Sequence, residues 1–313
     1  MKIGIDMGGM SIKFGLVDEE NQIIEKIVIP TRLDIASQDL IKNMADAVNE
    51  LVNKRGMTLA EFDGIGIGSP GTIDEKSGVI LYSNNFGWEN VAIISELKKY
   101  LDTRIEIAND ADVAALGEVR AGAAVGADHA VLLTLGTGVG GGIIVGGEIF
   151  HGPLDGGSEL GHSVIKHGGE LCTCGRSGCL EVYASATALL RIAKEKALEY
   201  PNSVMHEMCE NNLENINGKM PFDAAKAGDS AGVETVSEYL GYLACGITNV
   251  VNTFRPQKVI LGGGIAAQKE NLTLPLQKIV NEMCFGRRHG EIAEIVTSQL
   301  GNDAGIIGAA NLV

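Results

Sequence analysis

The fold is decided by the stretch KIGIDMGGMSIKFGLV, residues 2–17. Apolar and small residues alternate on both sides of Gly8 and Gly9, which predicts a strand, a tight turn and a returning strand. The stretch LLTLGTGVGGGIIVG, residues 132–146, repeats this layout around Gly136 and Gly138. Two strand-turn-strand units of one design indicate a duplicated architecture, in which each half contributes one glycine turn to a shared cleft.

Strands and helices alternate along the rest of the chain. Residues 39–55 have helical periodicity and end before Gly56, whereas residues 62–71 indicate a strand that enters a Pro-Gly loop. Further helices are expected over residues 111–123, 184–198, 231–254 and 302–313, and further strands over residues 104–108 and 258–264. This order predicts an α/β fold.

Length and charge restrict the class of protein. The chain has 313 residues, of which 45% are apolar, and this is enough for two cores. Its formal net charge of −15 repels phosphate backbones and anionic lipid, so we expect neither nucleic acid nor a membrane as partner. No apolar run reaches the roughly 20 residues of a membrane span, and the first residues lack the pattern of a signal peptide. We therefore expect a cytoplasmic protein.

Three cysteines and a histidine suggest a metal site. Cys172, Cys174 and Cys179 supply three thiolates, and His162 precedes them by ten positions. This set suits a tetrahedral Zn²⁺ with four protein ligands, which is a structural site closed to substrate. The alternatives are a chance spacing or a redox C-x-C pair. Zinc on one ring nitrogen of His162 would leave the other nitrogen as an oriented donor.

The two glycine turns have the composition of anion-binding loops. Backbone N–H groups converge in such a turn, and a phosphate comes close because no Cβ intervenes. Gly8 and Gly9, with Lys13 nearby, and the run Gly136-Thr137-Gly138 are therefore candidates for the phosphates of a nucleotide such as ATP. Asp6, at the end of the first strand, suits Mg²⁺ held through water. The alternative is that the glycines only form hairpins.

A dinucleotide fingerprint competes for the second turn. Gly136, Gly138 and Gly141 match G-x-G-x-x-G, and Glu159 follows about 20 residues later, where an acid that binds ribose is expected. That interpretation needs a helix after the glycines, but residues 142–145 are strand-like. A Walker P-loop is excluded because the chain contains no G-K-[ST].

Asn109 and Asp110 stand where a predicted strand ends and a helix begins. Asp110 is either a helix N-cap or a catalytic group. Ligands bind at the ends of strands in α/β sheets, and Glu159, His162 and Glu181 offer further polar groups. Such a set suits a polyhydroxylated ligand. Asp110 is then the group that accepts a hydroxyl proton as the oxygen attacks a terminal phosphate.

Five motifs together resemble the ROK sugar kinases. They are DMGGMSIK (6–13), IANDADVAALGE (107–118), LGTGVGGG (135–142), ELGH (159–162) and CTCGRSGCLE (172–181). The resemblance implies an actin-like ATPase (ribonuclease H-like) fold of two α/β lobes with a cleft between them. The small lobe would comprise residues 1–110, with the helix of about 302–313 returning to it. The large lobe, with the zinc site, would comprise residues 111–301.

The resemblance also implies roles for individual residues. The catalytic base falls on Asp110, and the zinc ligands fall on His162 and the three cysteines. Hexose contacts fall on Gly71, Asn84, Asn109, Asp110, Glu159, His162 and Glu181. Nucleotide contacts fall on Asp6, Gly8, Gly9, Ser11, Lys13, Gly136, Thr137, Gly138, Gly263 and Gly264.

The first turn departs from the family pattern. Met10 stands where the family commonly has threonine, and Ser11 beside it offers another hydroxyl. Ser69 likewise replaces the apolar residue often found before Pro-Gly. These changes concern nucleotide affinity and the choice of sugar more than the type of reaction.

The sequence therefore predicts an ATP-dependent hexose kinase that phosphorylates the 6-hydroxyl, with glucose first and N-acetylmannosamine or fructose next. A homodimer is expected from the resemblance. Some family members are DNA-binding repressors, with a helix-turn-helix domain before the first glycine turn. Here that turn starts at Gly8, so we do not expect a repressor. A non-catalytic sugar sensor is the remaining alternative, and ATP turnover with a hexose separates the two.

Overall fold

The computed structural model describes residues 1–153, 156–288 and 290–313. Contacts divide the chain into two compact units. The first unit comprises Met1–Ala130, Gly142–Ser158 and Gln299–Val313, and the second comprises Val131–Gly141 and Glu159–Ser298.

The described residues form the predicted strands and helices and several further ones. The strands are β1 (Lys2–Met7), β2 (Ser11–Val17), β3 (Ile23–Pro30), β4 (Ile65–Ser69), β5 (Thr72–Asp74), β6 (Val79–Ser83), β7 (Trp88–Val91), β8 (Ile105–Asn109), β9 (Ala130–Leu135), β10 (Val139–Val145), β11 (Glu148–Ile149), β12 (Lys258–Gly262) and β13 (Glu294–Thr297). The helices are α1 (Ser37–Asn53), α2 (Ile93–Leu97), α3 (Asp110–Ala121), α4 (Glu181–Ala184), α5 (Ala186–Glu199), α6 (Val204–Met208), α7 (Met220–Lys226), α8 (Ser230–Phe254), α9 (Glu270–Met283) and α10 (Ala304–Ala310).

As predicted, each glycine turn joins two successive strands. The first joins β1 to the antiparallel β2, and the second joins β9 to β10. The residues after Gly141 continue β10 and do not open a helix. The dinucleotide interpretation of this turn is therefore excluded. The predicted closing helix is shorter than expected, since α10 ends at Ala310.

The main sheet of the first unit has the order β3-β2-β1-β4-β8. Strand β1 is antiparallel to β2 and parallel to β4, and β4 is parallel to β8. The register places Asp6 beside Gly68, and Ser69 beside Asn109. Because the carboxyl ends of parallel strands share one edge of a sheet, these polar residues collect where α/β proteins bind ligands.

Helix α10 lies directly on this sheet because two neighbouring strands carry glycine in register. Gly4 on β1 pairs with Gly66 on β4. A Cβ on Gly4 would lie 1.9 Å from the carbonyl oxygen of Ile306, and a Cβ on Gly66 would lie 1.7 Å from that of Ala309. The helix backbone therefore needs glycine at both positions. Helix α1 covers the unit with a buried face that includes Leu40, Ile41, Met44, Val48 and Leu51.

The second five-stranded sheet has the order β11-β10-β9-β12-β13, and its strands β12 and β13 lie wholly in the second unit. Helix α8 is the longest element of this unit's core, and the hydroxyl of its buried Tyr239 donates to the carbonyl oxygen of Ala184 at 2.8 Å. The helix ends at Arg255, which has φ 47°. Among the described residues, no helix is long and apolar enough to cross a membrane.

Candidate active site

The first glycine turn is held by its own strands and by Thr31. The amide of Gly8 donates to the carbonyl oxygen of Ser11 at 3.0 Å, which closes the turn. Thr31 donates from its hydroxyl to the Gly8 carbonyl oxygen at 2.6 Å and from its amide to the Met10 carbonyl oxygen at 3.0 Å. The Met10 side chain is 91% exposed. A substitution of the Met10 side chain thus leaves both backbone contacts in place.

Lys13 and Asp6 form an ion pair beside this turn. The two residues face each other across β1 and β2, and Lys13 Nζ lies 2.7 Å from Asp6 Oδ2. Lys13, a predicted phosphate contact, is paired through its ammonium group with Asp6 in the structure. Gly305 on α10 allows the close packing, because a Cβ there would lie 2.9 Å from Asp6 Oδ1.

Asn109 caps α3 and anchors a predicted sugar loop. Its Oδ1 accepts from the amide of Ala111 at 2.9 Å, and its Nδ2 donates to the carbonyl oxygen of Gly71 at 3.1 Å. Gly71 has φ 117°, and a Cβ there would lie 2.2 Å from the Tyr82 carbonyl oxygen. Asn84, in the same region, accepts from the Tyr82 hydroxyl at 3.4 Å. The structure therefore brings Asn109 and Gly71 together.

Asp110 is the first residue of α3, and Asn109 is its N-cap. Asp110 Oδ1 lies 3.0 Å from the amide nitrogen of Ala111, which is shared with Asn109. The half-buried carboxylate thus sits at the positive end of a twelve-residue helix, where a negative charge is stabilised.

The second glycine turn contacts Glu181 in the second unit. The amide of Gly136 donates to the carbonyl oxygen of Gly138 at 3.0 Å, and Glu181 Oε2 accepts from the amide of Val139 at 3.0 Å. A Cβ on Gly138 would lie 2.2 Å from Glu181 Oε2. The Thr137 carbonyl oxygen accepts from the Thr187 hydroxyl at 2.9 Å. The contact of Glu181 with the turn is not predicted from the sequence.

Gly263 and the short 3-10 turn that follows Glu159 both approach residues that flank this glycine turn. Gly263 follows β12 with φ 81°, and a Cβ there would lie 2.4 Å from the carbonyl oxygen of Leu135, which precedes the turn. Gly264 begins a short 3-10 turn. Glu159 precedes another, Leu160–His162, which approaches β10 so closely that a Cβ on Gly161 would lie 2.0 Å from the Val139 carbonyl oxygen.

The predicted metal ligands converge. One ligand atom from each of His162, Cys172, Cys174 and Cys179 lies within 4.8 Å of the others. The sulfur atoms of Cys174 and Cys179 are 3.7 Å apart, and Cys172 Sγ lies 3.6 Å from His162 Nδ1. A tetrahedron with zinc–sulfur bonds of about 2.3 Å has edges of about 3.7 Å, so the donor set fits Zn²⁺.

Without a metal ion, the protein environment does not favour the ionised form of every cysteine in the cluster. Burial raises the pKa of the Cys179 thiol to about 12, whereas a backbone hydrogen bond from Arg176 lowers the pKa of the Cys174 thiol. A bound cation supplies the charge that a buried thiolate needs. Glu181 adjoins the cluster, since its Oε1 lies 3.4 Å from the Thr173 hydroxyl. One carboxylate thus connects the cysteine loop with the second glycine turn.

A second carboxylate of α3 was not assigned from the sequence. Asp112 is only 5% exposed, and its Oδ1 has no hydrogen-bond partner among the described residues. Burial raises the pKa of Asp112 to about 7. His151 and Ser158 lower the pKa of this carboxyl, and Glu75 and Asp110 raise it. The only sign of Asp112 in the sequence is that it is a second acidic residue, two positions after Asp110.

The chain matches the ROK family over residues 2–313. It belongs to this family. The glucokinase of Thermotoga maritima is 37% identical to it over 99% of this chain and 96% of its own length. The glucokinase of Halalkalibacterium halodurans is 36% identical, over 99% of this chain and 94% of its own.

A solved structure gives the same result for the fold. It is a ROK family glucokinase from Streptomyces griseus in complex with glucose and AMPPNP, with a TM-score of 0.79 and 32% identity, covering 100% of this chain and 98% of that one. The predictions of a ROK sugar kinase and of the actin-like ATPase fold are confirmed.

Proposed function

We propose that this ROK family member transfers the γ-phosphoryl group of ATP to the 6-hydroxyl of a hexose, and that glucose is its preferred substrate. Likeness over nearly the full length to glucokinases, one of them solved with glucose and AMPPNP, supports this choice. The observation that carries the proposal is Asp110 at the start of α3, beside an Asn109 whose amide is fixed to Gly71.

Asp110 is the proposed catalytic base. Its carboxylate accepts the proton of the hexose hydroxyl while the hydroxyl oxygen forms a bond to the γ-phosphorus, the bond from that phosphorus to the bridging oxygen breaks, and ADP leaves. The carboxylate lies at the N-terminus of α3, where the helix dipole favours a negative charge. General-base catalysis of this kind contributes roughly 10²- to 10⁴-fold in rate.

Hexose hydroxyls are proposed to bind Asn109, Glu159, His162 and Glu181, with Gly71 and Asn84 shaping the same loops. The orientation of the Glu181 carboxylate is set by two contacts, because Oε2 accepts from Val139 N–H and Oε1 accepts from the Thr173 hydroxyl. The zinc ligand His162 presents Nδ1 to Cys172, so its Nε2 is the nitrogen proposed for the sugar.

The two glycine turns are proposed to bind ATP, through Gly8, Gly9 and Ser11 in one and Gly136, Thr137 and Gly138 in the other, with Gly263 and Gly264 near the adenosine. Asp6 uses one carboxylate oxygen for Lys13, so its other oxygen suits a water molecule of Mg²⁺. Mg²⁺ would neutralise phosphate charge when bound.

Zn²⁺ is proposed to bind His162, Cys172, Cys174 and Cys179 and to stabilise the loop between Glu159 and Glu181. The sulfur and nitrogen distances within the cluster support this assignment. We further propose a cytoplasmic homodimer, on the ground of the family resemblance. Light scattering of the purified protein tests the oligomeric state.

A coupled assay tests the proposed function. ADP release is measured with ATP and glucose, N-acetylmannosamine, N-acetylglucosamine, fructose, mannose or allose, and the sugars are ranked by kcat/KM. We expect glucose to rank first. If another hexose ranks first, the substrate assignment changes, whereas binding of glucose without ATP turnover indicates a sugar sensor.

Asp110→Asn tests the base. The variant keeps the size of the side chain but accepts no proton, so kcat is expected to fall by roughly 10²- to 10⁴-fold while glucose still binds. Asp102→Asn, at an exposed position before β8, is the matched control and is expected to keep wild-type activity. A kcat for Asp110→Asn within threefold of wild type would reject the assignment.

A further inference from the structure

The first two residues of α5 hold the second glycine turn, and the proposed phosphoryl transfer assigns no role to them. The amide of Ala186 donates to the carbonyl oxygen of Gly136 at 2.8 Å. The hydroxyl of Thr187 donates to the carbonyl oxygen of Thr137 at 2.9 Å. Two consecutive residues of the helix thus bind two consecutive carbonyl groups of the turn.

The start of α5 is itself fixed within the second unit. Ser185, which is 2% exposed, is the N-cap, and its Oγ accepts from the amide of Ala188 at 3.1 Å. The amide of Ser185 donates to the carbonyl oxygen of Glu181 at 3.1 Å. The first amides of a helix have no partner within the helix. The amide of Ala186 is one of these, and Gly136 supplies its acceptor.

The two carbonyl contacts determine where two amides of the turn point. In a trans peptide, the C=O and N–H bonds lie in one plane and point in opposite directions. The carbonyl group of Gly136 shares a peptide with the amide of Thr137, and the carbonyl group of Thr137 shares one with the amide of Gly138. Both peptides are trans. Because both carbonyl groups point to α5, the N–H groups of Thr137 and Gly138 point away from it.

The amides on either side of these two already have acceptors. Gly136 donates to the carbonyl oxygen of Gly138 at 3.0 Å, and Val139 donates to Glu181 Oε2 at 3.0 Å. Within the part of the chain that the structure describes, the amides of Thr137 and Gly138 have no acceptor. Two neighbouring backbone amides that are left without acceptors suit a bound anion.

We propose that Thr187 is a positioning residue for nucleotide binding: its hydroxyl, together with the amide of Ala186, directs the amides of Thr137 and Gly138 to a phosphate oxygen of ATP. The inference rests on the proposed function, because it needs the phosphates of ATP at this turn. It adds which two amides bind the phosphate and which side chain orients them.

The values of KM for ATP and for glucose in variants of Thr187 test this role. Thr187→Val keeps the branched shape but has no hydroxyl, so the carbonyl group of Thr137 loses its donor. We expect the KM for ATP to rise about fivefold, while the KM for glucose stays within about twofold of wild type. Thr187→Ser keeps a hydroxyl and should return the KM for ATP to within about twofold of wild type.

Ala186→Pro removes the other donor. Proline is favoured at the first position of a helix, and Ser185 has φ −73° and ψ 168°, the extended conformation expected before proline. The helix should therefore form, and the KM for ATP should rise without an equal rise for glucose. Thr253→Val is the matched control, because the exposed Thr253 hydroxyl donates to the carbonyl oxygen of Asn249 within α8. It should leave all values unchanged.

Nuclear magnetic resonance of the backbone amides gives a readout that does not depend on turnover. On addition of ADP with Mg²⁺, the amide proton signals of Thr137 and Gly138 should shift more than those of Gly136 and Val139, because only the first two gain an acceptor. Thr187→Val should reduce the shifts at Thr137 and Gly138. Larger shifts at Gly136 and Val139 would contradict the proposal.

An unchanged KM for ATP in Thr187→Val, the same rise in Thr187→Ser, or equal rises for ATP and glucose would each overturn the proposal and leave the proposed function intact. If the wild type turns over no hexose, the proposed function fails. The dissociation constant of ATP from calorimetry then replaces KM in the same variants, with the same ranking expected. Absence of ATP binding to the wild type would overturn both.

Discussion

Replacing Asp112 with asparagine is expected to make the protein more stable at pH 8, with a clearly smaller gain at pH 5. The carboxyl is 5% exposed, and burial raises its pKa from 3.8 to about 7. The folded chain therefore keeps this proton between about pH 4 and pH 7, where the unfolded chain has lost it. Since the folded state binds more protons there, wild-type stability falls as pH rises through this window and levels off above it.

The size of the effect follows from the two pKa values. A rise from 3.8 to about 7 is a change of roughly a thousandfold in proton affinity, equivalent to about 4 kcal/mol at most. Asparagine has no charge to bury, so the variant does not incur this cost. Relaxation around the ionised group reduces the difference, and we expect a gain of about 2 kcal/mol over the wild type at pH 8.

Thermal unfolding followed by circular dichroism at pH 5, 6, 7 and 8 measures this difference. The gap in Tm between Asp112→Asn and the wild type should widen with pH and reach several degrees at pH 8. Because both proteins share every other titrating group, the gap isolates residue 112. A gap that is constant over this range, or one that narrows as pH rises, would show that Asp112 is ionised at low cost and would refute the reasoning.

Three further changes test other parts of the structure. Cys174→Ala should lower both the zinc content, measured by mass spectrometry, and the Tm, while Cys245→Ala, outside the cluster, should keep full zinc; absence of zinc in the wild type would contradict the metal assignment. Met10→Thr should lower the KM for ATP several-fold by adding a phosphate donor, and an unchanged KM would mean that Ser11 or the backbone suffices. Glu118→Ala should lower the free energy of unfolding by about 3 kcal/mol, measured by urea unfolding, because it leaves buried amide groups without an acceptor; a loss below about 1 kcal/mol would contradict this.

The glycine turns and the start of α3 could be predicted because their signals are local. Alternating residues around Gly8 and Gly136 specify hairpin-like units within fifteen or so residues. The pair Asn109 and Asp110 marks a strand end and a helix start in the same way. The contact of Lys13 with Asp6 could also be predicted, because residues equally far from a tight turn face each other across antiparallel strands. The role of Lys13 at a phosphate stays a prediction beside this contact with Asp6.

The contacts of Glu181 and Asp112 could not be predicted because they depend on distant segments. Glu181 reaches Val139, which lies 42 positions earlier, and the glycine at 138 is what leaves room for its carboxylate. The pKa of Asp112 depends on Glu75, His151 and Ser158, which are distant in the sequence. Neither helical periodicity nor motif spacing reports which distant side chain covers a given carboxylate.

Helix α3 shows why residue type and motif membership do not determine the role of an acid. Asp110, at the helix start, is half-buried and is the proposed catalytic base. Asp112 follows half a turn later, and its Oδ1 has no donor among the described residues, so burial favours its neutral form. Glu118 is fully buried but accepts from the amides of Ala123, Gln299 and Leu300 at 2.8 to 3.1 Å.

These amides supply the hydrogen bonds that the Glu118 carboxylate loses when burial removes it from water. Gln299 and Leu300 immediately precede the turn that leads into α10, so the carboxylate fixes the end of α3 to the start of the C-terminal helix. Glu118 and Asp112 are thus both buried but differ in their hydrogen-bond donors: three backbone amides reach Glu118, and none among the described residues reaches Oδ1 of Asp112. Supplying Asp112 Oδ1 with a donor would lower the pKa of this carboxyl, and the gap in Tm between Asp112→Asn and the wild type at pH 8 would narrow.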